Sequence, residues 1–374
     1  MGILIGMDEA GYGPNLGPLV VAATAWHVRD DDSGFGVQLS PDGAAASAAR
    51  SKRRKSSPSP GASTATIEVR NPQSAIRNPK SDPVDLYRLL RNIVAKRPSE
   101  RRIAIADSKV LYHPGAGLRQ LERGLHAVLR SMQQTLTCWS AIVDYCEADR
   151  DGLHQQVCWP DTFNCSLPVN ATVEELERLE ARFTRACDAA SIRPLFIRAR
   201  LVFPQQFNEL VAYYGTKGAA LSHVTIALLR EVVDAVASLA PRSSQLAPIY
   251  AVCDKHGGRT FYNSVLQHHF SEHWTAPVFE SHSESHYEWG EPESRTRVVF
   301  RVNGERFFPT ALASMTAKYL RELAMRAFNE FWRAHLPELK PTAGYYRDSW
   351  RFKKDIAAKQ RELGIDDHVM WRNR

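Results

Sequence analysis

The stretch that most constrains this chain is Ile3-Leu4-Ile5-Gly6-Met7-Asp8-Glu9-Ala10-Gly11-Tyr12-Gly13-Pro14-Asn15-Leu16-Gly17-Pro18. Its short apolar run reads as a β-strand buried on both faces. The strand ends in two adjacent carboxylates, Asp8 and Glu9, and a loop rich in glycine and proline follows. A carboxylate at the mouth of a buried strand is costly unless something pairs with it, and a metal ion is the usual partner. Gly11 and Gly13 carry no Cβ, so their backbone amides can approach a phosphate- or sugar-sized ligand closely. Pro18 to Val28 is largely apolar and reads as a second strand, antiparallel to the first.

Further along, Asp107-Ser108-Lys109 precedes a helix whose buried stripe is Leu118, Leu121, Leu125, Val128 and Met132. A hydroxyl and an ammonium at such a loop suit a phosphate. Pro248 to Asp254 is another buried strand ending in a carboxylate. Crossover through the preceding helix, with Leu221, Val224, Leu228, Val232 and Val236 inward, makes it parallel to another sheet strand. Should that strand lie beside the first, Asp254 comes next to Asp8. Arg297 to Pro309 reads as a strand and turn carrying Glu305, and it feeds a helix from near Thr310 that contains Ala313-Ser314-Met315-Thr316-Ala317-Lys318.

In this order the segments resemble the type 2 ribonucleases H, the HII and HIII group. The match runs through strand, Asp-Glu, Ala-Gly-x-Gly-Pro and x-Gly-Pro. It continues in Asp-Ser-Lys, in the strand ending at Asp254, and in the Ala-Ser-x-x-Ala-Lys helix. The resemblance implies an α/β, ribonuclease H-like fold: a central mixed five-stranded sheet, its first three strands antiparallel, flanked by helices. It implies that Asp8, Glu9, Asp254 and Glu305 are the catalytic and metal-binding set, with Glu280 and Glu284 as fallbacks for Glu305. Glu305 stands where the family usually has Asp, a change the HIII branch tolerates. Such a set would hold two Mg²⁺ or Mn²⁺ ions roughly 3.5–4 Å apart, and not a soft thiolate metal.

The same resemblance assigns nucleic-acid contacts to Gly11, Tyr12, Gly13, Ser108, Lys109, Lys318 and Tyr345. Tyr345 lies in a segment, Pro341 to Arg347, similar to the family's substrate-facing Gly-Tyr; Tyr346 is the alternative, and a tyrosine packed on the C-terminal helix the competing reading. The implied activity is metal-dependent endonucleolytic hydrolysis of the RNA strand of an RNA–DNA hybrid or ribonucleotide-containing duplex. Tyr12 departs from the Arg of the HII branch, which leaves single-ribonucleotide and long-hybrid preferences both open. A non-catalytic hybrid-binding protein of the same fold is the alternative. A nucleotide-dependent phosphotransferase is weaker, because no Walker-type loop is present.

Composition sets the remaining bounds. The chain has 374 residues, and an apolar fraction of 44% suffices for a core. A formal charge of +7 favours a polyanionic partner. No apolar run approaches the roughly 18 residues of a membrane span. No export signal opens the chain, so a cytoplasmic location is expected, and the chain is expected to be a monomer. The cysteines, five of six between Cys138 and Cys187, read as buried thiols, with a zinc site using His154 as the alternative. His268, His269, His273, His282 and His286 show no ligand spacing and read as surface residues. Residues 30–81, rich in Ala, Ser, Pro, Gly and Arg, read as a disordered low-complexity insert. Asp82 to Ala95 reads as a helix, Cys138 to Cys146 as a third strand that Phe196 to Phe203 continues or replaces, and Thr172-Val173-Glu174-Glu175 as a capping box. The expected organisation is therefore a ribonuclease H-like domain in 1–29 and 82–355, an added helical element at about 147–193, and a C-terminal tail or helix at 356–374.

Overall fold

The computed structural model describes residues 2–29, 82–113, 115–146, 156–160, 162–239 and 247–373. The insert read at 30–81 and His154 lie outside these residues. Along the chain, β1 (Gly2–Ala10) turns into β2 (Leu19–Val28). A short α1 (Leu86–Leu89) leads to the small parallel pair β3 (Val94–Ala95) and β4 (Ile103–Ala104). Then come α2 (Ser108–Leu111), α3 (Arg119–Ser131), α4 (Trp139–Cys146) and α5 (Val173–Ala189). They are followed by β5 (Ile192–Val202), α6 (Pro204–Tyr214), α7 (Lys217–Leu239) and β6 (Ile249–Asp254). Next are α8 (Asn263–His269), β7 (Ala276–Glu280), β8 (Glu284–Trp289) and β9 (Thr296–Arg301). The chain ends in α9 (Phe308–His335), α10 (Tyr346–Glu362) and α11 (Asp367–Met370).

The main sheet has the order β5-β2-β1-β6-β9-β8-β7. β1, β2 and β5 are antiparallel, and β6 and β9 continue parallel to β1. Those strands form the expected five-stranded, ribonuclease H-like sheet. The sheet is wider than expected, with seven strands, because β8 and β7 add antiparallel pairs outside β9. Glu284-Ser285-His286-Tyr287-Glu288-Trp289 lacks the aliphatic alternation by which strands are read, although its middle residues are buried.

Side chains alternate across β1 as the pleat requires. Leu4 faces the core beneath α9 and α3, whereas Ile3, Ile5 and Met7 face the core beneath α7 and α8. The 28-residue α9 crosses the first face, pinned at its start by Thr24 Oγ1 donating to the Pro309 carbonyl and Thr310 Oγ1 to that of Val252, each at 2.8 Å. Among the described residues no helix is long and apolar enough to cross a membrane.

Several expected elements differ. Cys138–Cys146, read as the third strand, is helical in α4, since Ile142, Val143 and Cys146 recur at helical spacing and bury one stripe. The third strand is β5, which takes in most of Phe196 to Phe203, the other candidate for it. The helix expected over Asp82–Ala95 stops at Leu89, and β-branched Ile93 and Val94 pair instead with the segment at Ile103. The boundary placed at 355/356 falls inside α10, and the end of α10 and α11 account for the helical part of the C-terminal segment. The added element at 147–193 does contain the capped helix α5, with Thr172 accepting from the Glu175 amide.

Candidate acidic site

Pleat alternation carries Asp8 onto the α9 face and Glu9 onto the α7 face of the same strand end. The Glu9 amide donates to Asp8 Oδ1 at 2.8 Å. In the parallel pairing Met7 lies opposite Cys253, so Asp254 stands one step on, beside Asp8. Asp254 Oδ1 accepts the Gly304 amide at 2.8 Å, which brings the turn before α9, and with it Glu305, onto the same end of the sheet. The Ser314 hydroxyl of α9 is a hydrogen-bond partner of Asp8 and takes the Ser108 amide at 3.2 Å.

Electrostatics follow from that placement. Burial first, then repulsion from Glu9 and Asp254, holds the Asp8 carboxyl well above the usual range. Burial and Asp254 raise Glu9 from 4.5 to about 7, with Lys109 acting in the other direction. Asp254 is raised by burial, against the Gly304 and Lys255 amides that favour its charge. Glu305 is raised by burial, then by Asp254 and Asp107. Lys109 is itself raised, first by Asp107 and then by Asp8, Glu305 and Asp254. Its ammonium faces the whole cluster.

The other residues singled out from sequence are dispersed around this end of the sheet. Gly11 has φ +89°, and a Cβ there would meet Arg321 Nε at 2.5 Å, so its glycine is required by packing. Gly13 faces open space. Tyr12 folds back on the α7 face, partly buried, near Gly218 and Glu9. Ser108 is buried, its hydroxyl 3.1 Å from that of Ser314, and so it positions α2 against α9. Lys318 is ion-paired with Glu322 on its own helix and lies over the Tyr112 ring at 4.2 Å. Tyr345 is 54% exposed at the start of α10. It is carried to the glycine loop because the Gly344 carbonyl accepts the Asn15 amide at 2.9 Å and Gly344 leaves no room for a Cβ against Leu16. Tyr346, the alternative, is 48% exposed.

The fallback acids do not join this group. Glu280 accepts the Tyr287 hydroxyl, and Glu284 pairs with His286 and Arg301, both in the outer strands. His256 is buried against Ser222 and pushed down to about 3, a neutral core residue. His286, read as a surface residue, is 1% exposed. Four of the cysteines are buried free thiols and Cys138 and Cys165 are partly exposed.

Sequence reading missed Asp107, which caps α2 and faces Asp254 and Glu305, though it sits in the Asp-Ser-Lys motif. It also missed Arg372, 4% exposed, whose Nη2 donates to the carbonyls of Gly11 and Pro14. Arg321, 1% exposed, similarly donates to Leu16 and Ala343. No sequence motif marks either arginine.

Fold and site together define an α/β protein of ribonuclease H-like architecture with acidic side chains gathered at one end of its sheet. No family model matches the sequence, and neither does any curated protein. Among solved structures the chain is similar to ribonuclease HII of Archaeoglobus fulgidus, determined in complex with PCNA, at 15% identity, 100% of this chain and 94% of that one covered, and a TM-score of 0.37. It is also similar to ribonuclease H2 of Pyrococcus horikoshii, at 13% identity, 98% and 92% covered, and a TM-score of 0.40. Those likenesses are remote, and the fold rests on the strand order and register described above.

Proposed function

We propose that this chain is a divalent-cation-dependent endonuclease that hydrolyses the RNA strand of RNA–DNA hybrids, leaving a 3′-hydroxyl and a 5′-phosphate. The observation that carries the proposal is the pairing of β1 with β6, which sets Asp8 and Asp254 side by side with Glu9 and Glu305 close by. Their hard carboxylate oxygens suit Mg²⁺ or Mn²⁺. The raised carboxyls fit as well, since burial and mutual repulsion are what a bound dication would relieve. Asp8, Glu9, Asp254 and Glu305 would hold the ions. Bound there, divalent cations would supply Lewis acidity toward a phosphodiester.

The chain's own groups have separable tasks. Lys109 offers a cation to the substrate phosphate at the mouth of the cluster. Amides of the Gly11–Gly13 loop would meet a 2′-hydroxyl, the group that distinguishes RNA from DNA. Exposed Tyr345 offers a ring face to a sugar or base. Ser314 and Gly304 hold Asp8 and Asp254 in place.

Cleavage of a labelled RNA–DNA hybrid with Mg²⁺ or Mn²⁺ tests this reading. Asp8→Asn and Asp254→Asn should each lower turnover by on the order of 10²-fold or more, with hybrid binding retained. Wild-type binding without cleavage would favour the non-catalytic hybrid binder, and neither binding nor cleavage would end the proposal.

A further inference from the structure

On the opposite side of the sheet from α9, three imidazoles converge where α7 packs on α8. His223 stands in the second turn of α7, and His268 and His269 close α8. One ring nitrogen of each lies within 4.8 Å of the other two. Ring centroids are 5.2 Å apart for His223–His268, 5.3 Å for His223–His269 and 4.9 Å for His268–His269, with planes inclined at 82°, 61° and 86°. A tetrahedral ion bound about 2.0–2.1 Å from each imidazole nitrogen sets centroids about 5.2 Å apart and ligating nitrogens about 3.3 Å apart. His223 Nδ1 lies 3.2 Å from His269 Nε2. We propose that His223, His268 and His269 form a binding site for a borderline divalent cation, Zn²⁺, separate from the acidic cluster.

The surroundings hold the rings ready. The His223 ring stacks on Tyr214 with centroids 3.7 Å apart and planes 8° from parallel. Arg230 Nη1 donates to the His269 carbonyl at 3.0 Å and pairs with Glu272 at 2.6 Å, fastening the end of α8 to α7. Burial lowers His223 and carries His269 down to about 4, so both stay in the neutral form that ligates a metal. His268 is exposed, so water could reach the site as a fourth ligand. Imidazoles select borderline ions and carboxylates hard ones, so the two sites differ in the metal they take.

Such an ion would clamp α7 to α8 behind the acidic cluster. Ser222, next to His223, has its hydroxyl 3.0 Å from His256 Nδ1 and 3.2 Å from Arg259 Nη1, in the loop that follows Asp254. The competing arrangement is a plain hydrogen bond between His223 and His269.

The full chain, stripped by chelator and kept in excess Mg²⁺, is titrated with Zn²⁺ by calorimetry while its melting temperature is followed. A single equivalent should bind and raise the melting temperature. Asp8→Asn/Asp254→Asn should keep that equivalent. Exposed His268→Ala, and separately His223→Gln/His269→Gln, should weaken it at least about tenfold. Co²⁺ in place of Zn²⁺ should show the visible bands of a four-coordinate ion, lost in the same histidine variants. No Zn²⁺ binding, binding indifferent to the histidine variants, or binding abolished in Asp8→Asn/Asp254→Asn with the histidines intact would each overturn the assignment.

Discussion

Glu9 shows at the residue scale how the site stores electrostatic strain. Folding raises its carboxyl from 4.5 to about 7, so between those values the folded chain holds a proton that the unfolded chain has released. Stability from this group is therefore present below 4.5 and lost as pH rises through about 7, a change of up to about 3 kcal/mol. The buried His126 and His256 and the half-buried His269 act in the opposite sense, since folding lowers them to about 4, 3 and 4. Comparison with Glu9→Gln isolates the carboxyl. In chelator, thermal melts should show the variant gaining on wild type between about pH 5 and pH 8. With saturating Mg²⁺ or Mn²⁺ that difference should shrink or reverse, because ion binding displaces the proton. An unchanged difference across this range would remove the electrostatic account of the cluster.

At the scale of elements, one buried acid links the added segment to two helices of the fold. Glu122 of α3 is fully buried and accepts the amides of Val169, Asn170 and Ala171 at 2.5, 2.8 and 2.8 Å, with the Tyr319 hydroxyl of α9 at 3.0 Å. It thus joins α3, α9 and the approach to α5. Arg123, 1% exposed, pairs with Glu175 at 2.9 Å on the same seam. Glu122→Ala would leave those amides without an acceptor. Its denaturant midpoint should fall by the equivalent of about 3 kcal/mol, with a smaller loss for Glu122→Gln. A loss of that size would make the added element part of the cooperative unit around α9. A variant as stable as wild type would show that it folds on its own.

Over the whole molecule, the two ends of the described chain meet at the proposed substrate loop. Trp371 bridges Leu16, the Arg372 amide donates to Asn15 at 2.9 Å, and the Arg372 side chain reaches Gly11 and Pro14. Burial drives the Arg372 guanidinium down to about 9, and Arg321 beside it adds repulsion. Its Nη2 bonds to the loop carbonyls offset part of the cost of that burial. Arg372→Ala should free the glycine loop, raising KM for a hybrid about tenfold and changing kcat less. Arg372→Lys should recover only part of the loss, since an ammonium cannot reproduce the planar fork. Equal kinetics for wild type and Arg372→Ala would place the arginine outside substrate recognition.

What was legible in the sequence were the features written locally. Apolar runs ending in Asp8 and Asp254, the helical stripe of α7 and the cap at Thr172 each follow from spacing alone. The polar strand β8, paired between β9 and β7, was not legible, because its burial comes from neighbours and not from its own periodicity. α4 was misread because an eight-residue apolar segment fits either period. The inward turn of Ser108, the engagement of Lys318 by Glu322, the bracing by Arg372 and the meeting of His223 with His268 and His269 lie deeper still. Each depends on side chains brought together from separate elements, a distance relation that periodicity does not encode. The sequence alone determined which strand ends carry acid, since that depends on the order of neighbouring residues. Tertiary structure decided which groups face those acids, because only the packing of α9, α7 and the C-terminal segment against the sheet sets those distances.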